Sequence, residues 1–354
     1  MQNISVKNIY WMLAYAFRTL DEKGKEKISS EPFDNIYDLF AVMMIQELSK
    51  QIKRGLNKEY IINSDELSTI KGKIKIDETI KSNSHIRNKL ICEFDEYSSN
   101  SYLNCIVKTA CHYLIISNKI SDINNIKKLK KLMIYLNDID LLDKKTINWS
   151  QIRYNKNNVS YKMLTNISYL IIDGLLMNKE NGTIEFKNYV DDQKMHKLYE
   201  KFILEYYRYH YKELRASVQQ VAWNIEDKDN NPFIELLPKM QTDITLYYHG
   251  RTLIIDAKYY SNMYQNNPLF NKDTFKSNNL YQIYTYVKNE DKKKNGKVSG
   301  MLLYAKTDYN DNKWAEYNMD GNKIIISNLD LSDTFETVKE HLNLIAEKFI
   351  NEEI

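Results

Sequence analysis

The chain has 354 residues, with 50 Lys and Arg against 47 Asp and Glu, a formal net charge of +3, and 43% hydrophobic residues. That balance excludes a disordered chain and a uniformly basic nucleic-acid binder, and it accommodates two domains or one large one. The three cysteines, Cys92, Cys105 and Cys111, form no C-x-x-C pair, and so odd and sparse a set fits a reducing cytoplasm better than a disulfide framework.

Residues 7–20 place Ile9, Met12, Leu13, Ala16, Phe17 and Leu20 at helical spacing and predict a core helix. A second amphipathic helix is expected over 34–54. Over 68–77, Ile70, Gly72, Ile74 and Ile76 alternate with Lys71, Lys73 and Lys75, the period of a half-buried strand with a basic outer face. Helices are expected again at 101–117, 123–136 and 160–178. The stretch "NKENGTIEF", 178–186, is the clearest polar break, so the chain is divided into 1–180 and 181–354. The second part reads as a helix over 192–214, strands at 218–224, 241–248 and 252–259, a helix at 277–288, a strand at 300–306 and a final helix at 333–350. This alternation predicts an α/β unit. No apolar run approaches the roughly 20 residues of a membrane span, and the N-terminus has neither the basic region nor the cleavage site of a signal peptide. A cytoplasmic protein with no membrane partner is expected.

The stretch "TDITLYYHGRTLIIDAKYY", 242–260, carries the chemistry. A residue–Gly pair suits a two-residue hairpin loop, which puts the turn at His249-Gly250 and Tyr248 opposite Arg251. Asp243 then faces Asp256, and Lys258 projects from the same side of its strand. Ile244, Leu246, Leu253, Ile255 and Ala257 form the opposite, apolar face. Two opposed carboxylates repel, and burial raises the cost. A divalent cation converts that repulsion into coordination, and one or two carboxylates plus water suit Mg²⁺. A lysine ammonium alongside can stabilise charge at a phosphate, so the set fits metal-assisted phosphodiester hydrolysis. A salt bridge at a strand end is the alternative reading. Acid-x-Lys triplets elsewhere, such as Asp21-Glu22-Lys23 and Glu290-Asp291-Lys292, lie in polar segments. The six histidines form no zinc motif, and no G-x-x-x-x-G-K-[ST] phosphate loop is present, so direct nucleotide binding is not expected. Lys272, Lys276, Lys288 and Lys292 to Lys294 flank the hairpin and could meet phosphates.

"TDI…LIIDAKYY", followed by Gln282 and Tyr286 in "NLYQIYTYV", resembles the core of PD-(D/E)xK nucleases of the RecB-like branch. Together with "VKNIYWMLAYAF", "IKGKIKIDETI", "CEFDEYSSNSYLNCIVKTA", "LYEKFILEYY" and "LLPKMQTDITL", the chain resembles the McrC family, the nuclease subunits of McrBC modification-dependent restriction systems. The resemblance implies an α+β N-terminal module over 1–180 and a PD-(D/E)xK α/β nuclease domain over 181–354. It implies Asp243 and Asp256 as Mg²⁺ ligands, Lys258 as the catalytic lysine, and Gln282 and Tyr286 as support from the following helix. Glu200, with Glu205 second, would be an added acid and metal ligand from the preceding helix. It also implies a hexameric McrB-type AAA+ GTPase as partner, methylated double-stranded DNA as substrate, and an N-terminal half that enters the partner's ring through the surface at Lys71, Lys73 and Lys75. One departure stands out: Pro238 lies five residues before Asp243 rather than beside it. A non-catalytic activator of an AAA+ motor and a stand-alone RecB-like nuclease are the alternative readings.

Overall fold

The apolar stripe near the start folds as helix α1, Val6–Ala16, with Met12, Leu13, Ala14 and Ala16 buried. The computed structural model describes residues 5–16, 35–176, 192–225, 233–259, 263–267, 272–306 and 313–354. Phe17 and Leu20, the break at 178–186 and the division at 180/181 lie outside them. The chain forms two compact units, Asp34–Lys187 on the one hand and Met1–Phe33 with Asn188–Ile354 on the other. Helix α1, expected with the N-terminal half, belongs to the second unit. The Ser5 N–H and the Asn8 Nδ2 both donate to Leu331 O, and Asn8 also reaches Asp333 O at 2.8 Å. Tyr15 joins an aromatic cluster with Phe202, Tyr206 and Phe335. An apolar helix face is stable only where it is covered, and here aromatic residues distant in sequence cover it.

The middle unit holds α2 (Ile36–Arg54), β1 (Glu59–Leu67), β2 (Lys73–Ile74), α3 (Ile76–Lys81), β3 (Leu90–Ser98), α4 (Tyr102–Ile116), α5 (Ile123–Ile134) and α6 (Lys162–Leu176). Asn35 caps α2 by accepting from the Tyr37 and Asp38 N–H groups. A buried network ties the sheet to the helices. Tyr161 Oη donates to Asn104 Oδ1, and Asn104 Nδ2 donates to the carbonyls of Asn57 and Ser99, just before β1 and just after β3. The sheet order is β1-β3-β2.

The strand expected over 68–77 is a correction. Only Lys73–Ile74 pairs, with Glu93 and Cys92, and a helix starts at Ile76. Gly72 stands at φ +70°, and a Cβ there would lie 2.3 Å from Glu93 O, so the chain turns where the alternation called for extension. Ile70 and Ile76 are exposed. Lys71 lies over the Phe94 ring at 3.6 Å and Lys75 pairs with Glu93 at 2.6 Å.

In the other unit, α7 (Asp192–His210) ends four residues before the expected 214, and Lys212–Leu214 form a 3₁₀ turn. There follow β4 (Gln220–Val221), β5 (Met240–Gln241), β6 (Ile244–Tyr248), β7 (Arg251–Lys258), β8 (Tyr264–Asn267), β9 (Lys272–Phe275), α8 (Ser277–Glu290), β10 (Val298–Lys306), β11 (Trp314–Met319), β12 (Asn322–Asp330) and α9 (Phe335–Ile350). A five-stranded sheet runs β11-β12-β10-β7-β6. Its three middle strands are parallel and its two edges antiparallel. Strand β10 is buried from Val298 to Ala305, the continuous apolar run of a strand covered on both faces. Strands β11 and β12 were not anticipated from sequence. They form a hairpin through Asp320-Gly321, both at positive φ.

Candidate active site

His249 at φ +47° and Gly250 at φ +79° make the tight turn between β6 and β7. The ladder pairs Tyr248 with Arg251 and Ile244 with Ile255, the register read from the sequence. Ile244, Leu246, Leu253, Ile255 and Ala257 are fully buried. Asp243 sits one residue before β6, where continuing the register sets it across from Asp256. There the strand bends, and Asp243 Oδ2 accepts from the Ala257 N–H at 2.9 Å. The bend anchors one carboxylate to the backbone of the strand that carries the other.

Asp243 is half-buried and Asp256 is 1% exposed. Burial, then the charges of Asp256 and Glu200, push the Asp243 carboxyl up to about 8. Burial also raises Asp256, but Lys258 and a hydrogen bond from Asp243 oppose the rise. The pair therefore holds a shared proton near neutral pH.

Lys258, 6% exposed, places Nζ 2.8 Å from Asp256 Oδ2. That oxygen is buried, with the ammonium as its ion-pair partner. Lys258 also donates to Gln282 Oε1 at 3.0 Å, and Gln282 Nε2 donates to Tyr286 Oη at 2.9 Å. The i, i+4 spacing of Gln282 and Tyr286 puts both on one face of α8. Helix α8 lies close to the sheet because Gly300 of β10 has no side chain; a Cβ there would meet Ile283 and Val287 at 2.8 Å. On the same helix, Asn279 Nδ2 donates to Tyr304 Oη at 2.9 Å, and Tyr304 is the register neighbour of Lys258 on β10.

Glu200 comes from α7. Its charge reaches Asp243, and its Oε1 lies 2.5 Å from His196 Nδ1 one turn earlier. A carboxylate only accepts, so the ring nitrogen donates. The charge of His196 in turn acts on Asp256. His196, read from sequence as one of six scattered histidines, therefore stands at this site; H-x-x-x-E on an amphipathic helix was the available signal. Glu205 instead pairs with Arg208 at 2.8 Å. Lys288 binds Asp320 and Asn322, and Lys292 to Lys294 are exposed.

The donor set, a half-buried Asp243 carboxyl and a buried Asp256 carboxylate, suits a hard divalent cation that keeps water among its ligands. Among the described residues, no group of three or more His, Cys, Asp or Glu side chains is placed to hold an ion, so Glu200 is not gathered with the two aspartates into a trio.

The family model described as "McrBC 5-methylcytosine restriction system component" matches residues 2–305. The chain belongs to this family. The McrBC match takes in α1, the whole middle unit and every residue of the site from His196 to Tyr286; β11, β12 and α9 lie beyond it. A McrBC relative, the type IV methyl-directed restriction enzyme EcoKMcrBC of Escherichia coli (strain K12), is 26% identical over 306 residues, covering 86% of this chain and 87% of the relative. Among solved structures, a chain of the "refined half-complex from tetradecameric assembly of Thermococcus gammatolerans McrB AAA+ hexamers with bound McrC" aligns over 99% of this chain and 76% of its own length. Its TM-score is 0.53 at 17% identity, a likeness of fold. Among the described residues, no helix is long and apolar enough to cross a membrane.

Proposed function

We propose that this McrBC component is the nuclease subunit: a Mg²⁺-dependent DNA endonuclease whose C-terminal unit is a PD-(D/E)xK domain, acting on methylated double-stranded DNA. The observation that carries the reading is the convergence of Asp243, Asp256, Lys258 and Gln282 at one end of the β6–β7 hairpin. Asp243 and Asp256 would hold Mg²⁺, which when bound supplies Lewis acidity toward the scissile phosphate and its attacking water. Asp243 would serve as a ligand in its deprotonated form. Lys258 would offer its ammonium to a phosphate oxygen, and Gln282 limits where it can point. Tyr286 fixes the Gln282 amide so that its oxygen faces the lysine. A decayed nuclease retained only as an adaptor would have no reason to keep this buried charge set.

The partner on this reading is a McrB-type AAA+ GTPase hexamer, as in the Thermococcus assembly, engaged through the middle unit. Support comes from its exposed apolar side chains: Ile62 on β1, Ile70 before β2, Ile76 and Ile80 on α3, and Ile86 on the 3₁₀ turn that follows. Asp256→Ala tests the whole reading in the reconstituted complex. DNA cleavage should be lost while stimulation of the partner's GTPase is retained. Cleavage at the parent rate by D256A overturns the active-site assignment, and loss of both functions makes Asp256 structural.

A further inference from the structure

The five-stranded sheet carries a second polar cluster, at the end away from the hairpin acids. Strand β7 starts at Arg251 and reaches Asp256 five residues later, roughly 17 Å along an extended strand. An odd separation puts the two side chains on opposite faces. On the face of Arg251, the register sets Leu253 beside Ser299 of β10, and Gly300 beside Ile324 of β12. Arg251, Ser299 and Lys323 therefore come from the starting ends of three neighbouring strands and share one face. Phe349 of α9 packs there, its ring centroid 5.4 Å from Arg251 Cζ. Two turns close the side. Gly296, at φ +71°, comes so near the β11–β12 turn that a Cβ would lie 2.6 Å from Gly321 O. With Lys297, these residues line a cavity of about 280 Å³.

Arg251 Nε and Nη1 are buried and make no hydrogen bond. The third guanidinium nitrogen, Nη2, donates to Ile350 O at 3.1 Å and meets Glu352 at 3.5 Å, a side chain 75% exposed. Ser299 is 7% exposed, and among the described residues its hydroxyl makes no hydrogen bond and the Lys297 ammonium has no carboxylate partner. Glu353, the other acid at the rim, pairs with Lys348 at 2.6 Å. Lys323 is held by Glu316 at 3.3 Å and by the Glu353 carbonyl, and adds charge to the wall. A guanidinium keeps its charge at any physiological pH, and a buried N–H without an acceptor costs free energy. The missing acceptor must be anionic and must serve an arginine, a lysine and a hydroxyl that approach from different strands and a turn. A tetrahedral oxyanion, with four oxygens, meets that demand better than a flat carboxylate.

We infer that this cavity is a binding site for a phosphate-type oxyanion, with Arg251, Lys297 and Ser299 as its donors. A free phosphate and a backbone phosphate of nucleic acid present the same oxygens to it. The site is independent of the chemistry of the hairpin acids.

The test titrates inorganic phosphate into the full chain, in EDTA and at constant ionic strength, and follows it by calorimetry. One phosphate per chain should bind saturably. Lys297→Gln, at an exposed position, should weaken binding about 10-fold, the loss of one hydrogen bond to a charged group. Arg251→Gln should abolish it, with circular dichroism to check folding; if R251Q does not fold, K297Q and Ser299→Ala decide. Absence of saturable binding, or a K297Q affinity within about 2-fold of the parent, overturns the site. Asp256→Ala should bind phosphate like the parent, and loss of binding in D256A overturns the assignment by placing the anion at the hairpin. Anisotropy of a short fluorescent DNA duplex identifies the source. Weakening by K297Q together with competition by phosphate makes the ligand a backbone phosphate. Unchanged duplex affinity beside weakened phosphate binding makes it a free phosphate.

Discussion

Replacing Asp243 with Asn removes a titratable group while keeping an oxygen that can accept from the Ala257 N–H. Asp243 is raised from 3.8 to about 8 by burial and by the neighbouring charges of Asp256 and Glu200. Because the folded affinity for the proton is the higher one, this group favours the folded state most below about pH 4. Between there and about pH 8 the folded chain holds a proton that the unfolded chain has lost, so stability falls as pH rises. The slope approaches about 1.4 kcal/mol per pH unit, so Asp243 should remove on the order of 2–3 kcal/mol between pH 5 and pH 7. The Asp243→Asn variant has no such slope. Urea unfolding in EDTA, followed by tryptophan fluorescence at pH 5, 6 and 7, should show the variant gaining on the parent by about 2–3 kcal/mol across that window. Added Mg²⁺ at pH 7 should reverse the order: a hundredfold excess over the dissociation constant stabilises the parent by about 2.7 kcal/mol and the variant far less. A parent–variant difference that stays flat with pH would refute the shared-proton account of the acid pair.

Gln282→Leu removes the oxygen that accepts from Lys258 and should lower the cleavage rate at least about 10-fold with little change in the thermal midpoint, checked by single-turnover cleavage beside calorimetry. Gly300→Ala forces a Cβ to within 2.8 Å of Ile283 and Val287. It should cost about 1–3 kcal/mol in urea unfolding and reduce cleavage as well, because α8 carries Gln282. Gly72→Ala meets the Glu93 carbonyl at 2.3 Å and needs a positive φ, so it should destabilise the middle unit. Hydrogen exchange over residues 59–98 should accelerate while the β6–β7 hairpin stays protected.

The hairpin was legible because three signals coincide there: period-two alternation, a residue–Gly turn, and charges where apolar residues belong. Gln282 and Tyr286 were legible because helical spacing alone puts them on one face. His196 was not, since its meaning depends on α7 packing beside a hairpin that begins almost fifty residues later. The β1–β3 sheet escaped notice because acids and exposed side chains blur its alternation, and its order comes from pairing and from the Tyr161–Asn104 network at its base. The lysine-rich 68–77 segment shows the opposite failure. Its alternation is regular, but Gly72 breaks the extended backbone and leaves Ile70 and Ile76 in solvent. The Asp320-Gly321 pair between β11 and β12 is a hairpin signal of the same kind as His249-Gly250, yet without buried charges beside it the turn did not stand out.

The chain leaves and rejoins one folded body, since α1 belongs with residues 188–354 and the middle unit is spliced between them. Residues 34–187 thus form a cassette with both of its joins in the same host. On the proposed reading, exchanging that cassette between relatives should swap partner preference and leave the candidate site whole. A clone beginning near residue 188, by contrast, discards a helix that packs into the aromatic cluster of the unit carrying that site.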